Sequence, residues 1–215
     1  MNPERIETLP EKRFTQSYSQ PEAYRFCQDS ILAPLVIARD LEGTGFARVL
    51  DLGAGCGVMG LELVHALPSI RSIDFLEIQP EFRPYFEANL ATAGRSKEDF
   101  RFMESHWSSL HDEPLCGIYD VVVSNPPYFA ANEGTLGPIE LSNRCRFFLD
   151  DSFEGYVRAV RAALKPGARA YLLVKNGERH GRNTLALLRT LVWDCEVETL
   201  ADIRGTDLVK IPAAG

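Results

Sequence analysis

The stretch ARVLDLGAGCGVMGLELV, residues 47–64, decides the fold. It begins with a short apolar run of the kind that forms a strand buried on both faces. Glycines at 53, 55 and 57 follow, and they let the backbone turn tightly and approach a ligand without a Cβ in the way. VMGLELVHAL then reads as a helix. A strand, a glycine turn and a helix in that order open a doubly wound α/β sheet. In such sheets ligands bind beyond the carboxyl ends of the strands, at the point where the strand order reverses.

Outward from this unit the alternation continues. SIDFLEI, FRFME, IYDVVVSN and ARAYLLVK read as further strands. PEFRPYFEANLATAG, DDSFEGYVRAVRAALKPG and NTLALLRTLVW read as the helices between them, the middle one carried to a Pro-Gly stop. CEVETL and DLVKI are expected closing strands, and one of them is expected to run antiparallel. The fold class is therefore α/β, Rossmann-like and mostly parallel. The chain of 215 residues suits one such domain over residues 43–215. Residues 1–42 form an N-terminal segment and helix expected to pack on the core beside the ligand site.

Composition narrows the function classes. A 45% hydrophobic, 25% charged chain is ordinary for a soluble protein, and no apolar run reaches the length of a membrane span. The start, MNPERIETLPEKRF, lacks the apolar core of a secretory signal. The five cysteines are odd in number and widely spaced, which predicts a reducing cytoplasm. The four histidines lack metal-ligand spacing, so no metal is expected. The net charge of −7 argues against an extended nucleic-acid surface, but its distribution is uneven. Residues 1–140 carry 11 Lys/Arg against 21 Asp/Glu, whereas residues 141–215 carry 12 against 9. A local phosphate-binding face fits that asymmetry.

The turn itself selects the ligand. A dinucleotide fingerprint needs a third glycine where this chain has Val58. Asp51 stands ahead of the glycines, and a carboxylate there suits a positively charged ligand better than a pyrophosphate. Glu77 ends the second strand, where a carboxylate can accept both hydroxyls of a ribose. DLGAGCG followed by this glutamate resembles the first motif and acidic residue of the S-adenosylmethionine-dependent methyltransferases, over roughly residues 46–175. The resemblance implies cofactor contacts from Asp51, Gly53, Ala54, Gly55, Glu77 and Ile78. That family places an acidic residue after the third strand to hold the adenine amino group. Here MESHW puts Glu104 one position early, and Ser105 or His106 is the expected substitute.

SNPPYF, residues 124–129, ends the fourth strand with two prolines that cannot join a sheet ladder. NPPY resembles the motif of methyltransferases acting on amino or amide nitrogens, which makes Asn125, Pro126 and Tyr128 the expected catalytic residues. The Asn125 side-chain oxygen and the Pro126 carbonyl would accept the two N–H bonds of an exocyclic nitrogen and aim its lone pair at the methyl group. Tyr128 would stack on the flat target, with Pro127 and Phe129 beside it.

The N-terminal QPEAYRFCQDSILAPLVIA, residues 20–38, is similar to the segment before the core in bacterial tRNA adenine-N6 methyltransferases of the small-domain family, which act on the adenine beside the anticodon of valine tRNA. Gln20, Tyr24, Phe26 and Asp29 occupy that pattern, and Asp29 reads equally as a helix N-cap or a ligand contact. The resemblance implies methylation of adenine N6 in RNA, tRNA foremost, by a cytoplasmic monomer or weak dimer. The long connection 129–148 is expected to border the substrate, with Arg144, Arg146 and, after the fifth strand, Arg179 meeting phosphates. Guanine N2 of ribosomal RNA and a protein glutamine are alternative acceptors. The release-factor glutamine enzymes carry a larger N-terminal helical domain, which the forty-odd residues ahead of this core would not supply. A nicotinamide-dependent oxidoreductase and a non-catalytic cofactor-binding protein are the alternatives from other classes, and neither accounts for NPPY.

Overall fold

Val49–Leu52 pair in parallel with Ile73–Leu76 on one side and with Val121–Ser124 on the other. This three-strand centre belongs to a computed structural model that describes residues 4–6, 15–177 and 182–213. In chain order the strands are β1 (Glu4–Ile6), β2 (Val49–Leu52), β3 (Ile73–Glu77), β4 (Phe100–Glu104), β5 (Tyr119–Ser124), β6 (Phe129–Ala130), β7 (Phe147–Phe148), β8 (Leu164–Gly177), β9 (Arg182–Asn183), β10 (Glu198–Ile203) and β11 (Thr206–Pro212). The helices are α1 (Asp29–Leu41), α2 (Val58–Ala66), α3 (Arg83–Thr92), α4 (Glu140–Arg146), α5 (Phe153–Ala163) and α6 (Thr184–Leu191). The main sheet has the order β1-β10-β11-β8-β5-β2-β3-β4, with β9 paired to β8. The chain moves outward from β2 through β3 to β4, then crosses back to β5, so the order reverses at β2.

Both faces are covered, as uninterrupted Val/Ile/Leu strands require. Ile37, Leu63, Phe75 and Phe86 centre the core under α1, α2 and α3, and Tyr156, Val160, Leu172 and Leu188 centre the core under α5 and α6. β11 runs antiparallel to β8 and to β10. The β10–β11 link is two residues, Arg204 at φ 55° and Gly205 at φ 84°, the left-handed pair that a tight hairpin uses.

Two boundaries depart from the sequence reading, and short elements appear that it did not expect. The last hairpin turn places β10 at Glu198–Ile203, three residues beyond CEVETL. α5 ends at Ala163 rather than at the Pro-Gly stop, because Pro166 forces the residue before it out of helical backbone, and β8 begins at Leu164. The expected long connection contains α4 and a two-stranded sheet that sets Phe129 beside Phe147, with ring centroids 5.6 Å apart. β1 was not expected at all. It is three residues long and adds in parallel to β10.

Candidate active site

The carboxyl ends of β2, β3, β4 and β5 lie side by side, and a cleft opens above them. Its floor is the glycine turn, with Gly53 and Gly55 lining it, and its walls include Glu77, Ile78, Ser105 and Asn125. The N-terminal segment forms its roof. Glu62 on α2, almost fully buried, accepts from the Tyr18 hydroxyl at 2.7 Å and the Thr15 hydroxyl at 2.8 Å. Asn89 on α3 accepts from the Ser19 N–H at 2.6 Å and donates to the Cys56 carbonyl at 2.9 Å. So tethered, the segment carries Tyr24 and Phe26 over the cleft, where Asp51, Ala54 and Ser30 also face it.

Backbone geometry sets the two carboxylates. Gly55, at φ 54°, turns its N–H onto Glu77 Oε2 at 2.8 Å, and the Gln79 N–H reaches Oε1 at 2.9 Å. A carboxylate has about four lone-pair positions, so each oxygen keeps one for a ligand hydroxyl. Asp51 Oδ2 accepts the Gly60 N–H at 2.8 Å. Gly60 has no room for a side chain there, since a Cβ would lie 2.5 Å from the Phe75 ring and 2.9 Å from Asp51 Oδ2. Both acids are buried, and among the described residues neither is ion-paired. Burial raises Glu77 above the usual carboxylate range, against the backbone N–H groups that lower it. Burial likewise pushes Asp51 up to about 7, with the charge of Glu77 adding to the rise.

The Asp51 shift carries a signed consequence. An unfolded aspartate titrates at about 3.9, so the folded protein holds an extra proton from there up to about 7. This contribution to stability is fully present below that window and is lost as the pH rises through it. Asp51→Asn has no charge to bury, so the fall in its Tm between about pH 5 and about pH 8 is expected to be shallower than in the wild type. Equal slopes in thermal melts would show that Asp51 ionises without cost.

The end of β5 is pinned from below. Ser124, fully buried, donates to the Leu52 carbonyl at 2.5 Å and accepts from the Tyr156 hydroxyl. Asn125 therefore leaves the sheet from a fixed point. Its Nδ2 donates to Ser30 Oγ at 3.2 Å, and its Oδ1 accepts the Tyr128 hydroxyl at 2.5 Å. The Tyr128 hydroxyl thus holds the asparagine oxygen, which leaves its ring as the surface expected to meet a flat target. The Lys175 ammonium lies 5.0 Å from the Tyr128 ring centroid, and beyond the tyrosine a second cavity of about 140 Å³ opens between Phe148, Phe153 and Leu187.

Other expected residues fall variously. Pro127 lines the cleft, while Pro126 is buried beneath it and Phe129 packs on Phe147. Asp29 lies outside the lining; it is the first residue of α1, with Gln28 as the cap, and its carboxylate accepts from Thr206 at 3.3 Å. Glu104 points outward to Arg83 at 3.2 Å, consistent with its displaced position. His106 does not line the cleft either, because its Nδ1 accepts the Ser108 N–H and caps the short helix Trp107–His111. Ser105 remains as the lining residue of that pair. Arg144 lines the cleft but is held by Glu140 at 3.1 Å and by Asp150, so its charge is already answered. Arg146 is exposed and lies over the Phe147 ring. Arg179 lies outside the described residues.

Sequence reasoning missed Gln79, Phe82, Trp107 and Cys145, all of which line the cleft. Gln79 follows Glu77 at a strand end, and Trp107 follows Ser105 in the same way, so position at the switch point was the one signal available. Among the described residues no group of three His, Cys, Asp or Glu could hold a metal ion, and no helix is long and apolar enough to cross a membrane.

The donor set fits one cofactor. Among the described residues the two buried carboxylates have no cation beside them, which favours a positively charged ligand, Glu77 can accept from a diol, and Gln79 Oε1 is buried with no partner. A sulfonium nucleoside meets all three demands. Fold and site together define an S-adenosylmethionine-dependent methyltransferase domain. Residues 26–139, more than half of the chain, match the methyltransferase small domain, and the chain belongs to that family. It is 29% identical over 178 residues to the release factor glutamine methyltransferase of Burkholderia pseudomallei, covering 76% of this chain and 58% of that one. It is 34% identical over 131 residues to the tRNA1(Val) (adenine(37)-N6)-methyltransferase of Aeromonas hydrophila, covering 61% and 52%. The chain thus matches little more than half the length of these curated relatives. A solved structure from Pyrococcus horikoshii, described as a putative RNA methyltransferase, aligns with a TM-score of 0.62 at 16% identity over 93% of both chains and shares the fold.

Proposed function

We propose that the protein methylates the N6 amino group of an adenine in structured RNA, most plainly tRNA. The observation that carries this reading is the Asn125 amide, which lines the cleft with Nδ2 tied to Ser30 and Oδ1 held by a single hydroxyl. An amide oxygen accepts two hydrogen bonds, so Oδ1 keeps one for an acceptor N–H. The Pro126 carbonyl is assigned the second N–H. An exocyclic aromatic nitrogen has its lone pair delocalised into the ring, and two such bonds hold that pair toward the incoming carbon. S-adenosylmethionine held by Asp51, the glycine turn and Glu77 would supply an electrophilic methyl carbon, the new N–C bond replacing its S–C bond with the electron pair left on sulfur. The nitrogen then loses its proton to solvent, so no side chain is required as a base during attack.

A flat base is favoured over a glutamine side chain by the aromatic walls beyond Tyr128, where Phe148 and Phe153 line the second cavity. The N-terminal segment supports the same choice, since Tyr24, Phe26 and Ser30 from it face the cleft. Among the described residues Arg144 is ion-paired while Lys175 and Arg146 are exposed at this edge, so RNA binding is expected to be modest and to weaken with salt by the release of only a few counterions. The test incubates the protein with methyl-labelled S-adenosylmethionine and total RNA, then digests the RNA and identifies the labelled nucleoside. Label in N6-methyladenosine is expected. Label in guanosine would change the base, and label confined to a protein glutamine would refute the RNA assignment.

A further inference from the structure

Gln79 lines the cleft with a side-chain amide that the cofactor contacts above leave unassigned. Its backbone N–H is spent on Glu77 Oε1, and its side-chain Nε2 donates to Cys145 Sγ at 3.4 Å. Burial pushes the Cys145 thiol up to about 12, so the sulfur stays protonated and neutral beside it. The remaining atom, Oε1, is buried with no hydrogen-bond partner among the described residues, in a residue only 6% exposed that lines the cleft. A buried acceptor left without a donor is costly, and a ligand donor is one way to remove the cost.

The adenosyl group of the cofactor carries two kinds of donor, the ribose diol and the 6-amino group. Glu77 keeps one acceptor position on each oxygen and answers the diol. The residues near the end of β4 are poor candidates for the amino group. Glu104 faces Arg83, His106 caps a helix, and the Ser105 hydroxyl donates to the His106 carbonyl at 3.4 Å. We propose that Gln79 Oε1 accepts a hydrogen bond from the 6-amino group of the cofactor's adenine and so sets the preference for an adenine nucleoside. Its anchor on Cys145 couples this contact to α4, the segment that follows NPPY.

Calorimetry on the full chain with S-adenosylhomocysteine and its 6-oxo counterpart, S-inosylhomocysteine, tests this without turnover. The wild type is expected to bind the adenosyl ligand up to about tenfold more tightly, the scale of one hydrogen bond. Gln79→Met keeps the volume and removes the acceptor, so it should lose that preference by weakening the adenosyl ligand alone. A wild type that binds both ligands equally, or favours the 6-oxo one, would overturn the proposal whatever the variant does. So would a folded Gln79→Met that weakens both ligands alike. Binding of neither ligand by the wild type would instead remove the cofactor assignment itself, and the proposal with it.

Discussion

Asn125→Ala is expected to lower the methyl-transfer rate by about 10²–10³-fold while leaving cofactor affinity nearly unchanged. Among the described residues the asparagine's hydrogen-bond partners are Ser30 and Tyr128, not either carboxylate. Removing it therefore spares the diol and cation sites and takes away the oxygen that orients the acceptor nitrogen. Asn125→Asp keeps an oxygen at that place and should retain more of the rate than the alanine variant. Tyr128→Phe loses only the bond to Oδ1, whereas Tyr128→Ala also loses the ring beneath Lys175, so the alanine change should be the more damaging of the two. Single-turnover rates at saturating cofactor separate these effects from binding. An Asn125→Ala protein that transfers methyl groups at the wild-type rate would reduce NPPY to a strand-ending turn.

The parts of this site that could be read from sequence are those governed by the backbone. Glycines that must turn, prolines that must stop a strand and a carboxylate at a strand end announce themselves by residue type and spacing. The parts that could not be read depend on what other elements bring near. Gln79 looks like any polar residue after a strand until Cys145, sixty-six positions later, takes one end of its amide and leaves the other buried without a partner among the described residues. Trp107 lines the cleft because its indole N–H is held by Asp151 at 2.7 Å, a pairing with no local trace. Arg144 was half legible: Glu140 stands four residues before it on the same helix face, a spacing that already predicts an ion pair rather than a free cation. β1, β6 and β7 are two or three residues long, and so short a strand is defined by its partner rather than by its own pattern.

The opposite split is expected at the other end of the cleft, where Glu77→Ala should weaken cofactor binding by roughly tenfold to a hundredfold. The lost interactions are hydrogen bonds from a ribose diol to a buried carboxylate, each about 1.5–3 kcal/mol when one partner is charged. The substitution has a second effect in the free protein. The Gly55 and Gln79 N–H groups, now 2.8 and 2.9 Å from the carboxylate, would lose their acceptor and the glycine turn its brace. Against that, a buried acid whose ionisation is disfavoured by its surroundings disappears, so the net change in stability should be smaller than the change in affinity. Glu77→Gln separates the two. One amide oxygen can still accept one of these N–H groups, but the charge and one acceptor are gone, so the turn is partly braced while the diol is served less well. Titration calorimetry with S-adenosylhomocysteine should therefore rank wild type above Glu77→Gln above Glu77→Ala, with rates at saturating cofactor recovering in the variants. Wild-type affinity in Glu77→Ala would mean that the diol is held elsewhere and that Glu77 serves only to brace the glycine turn.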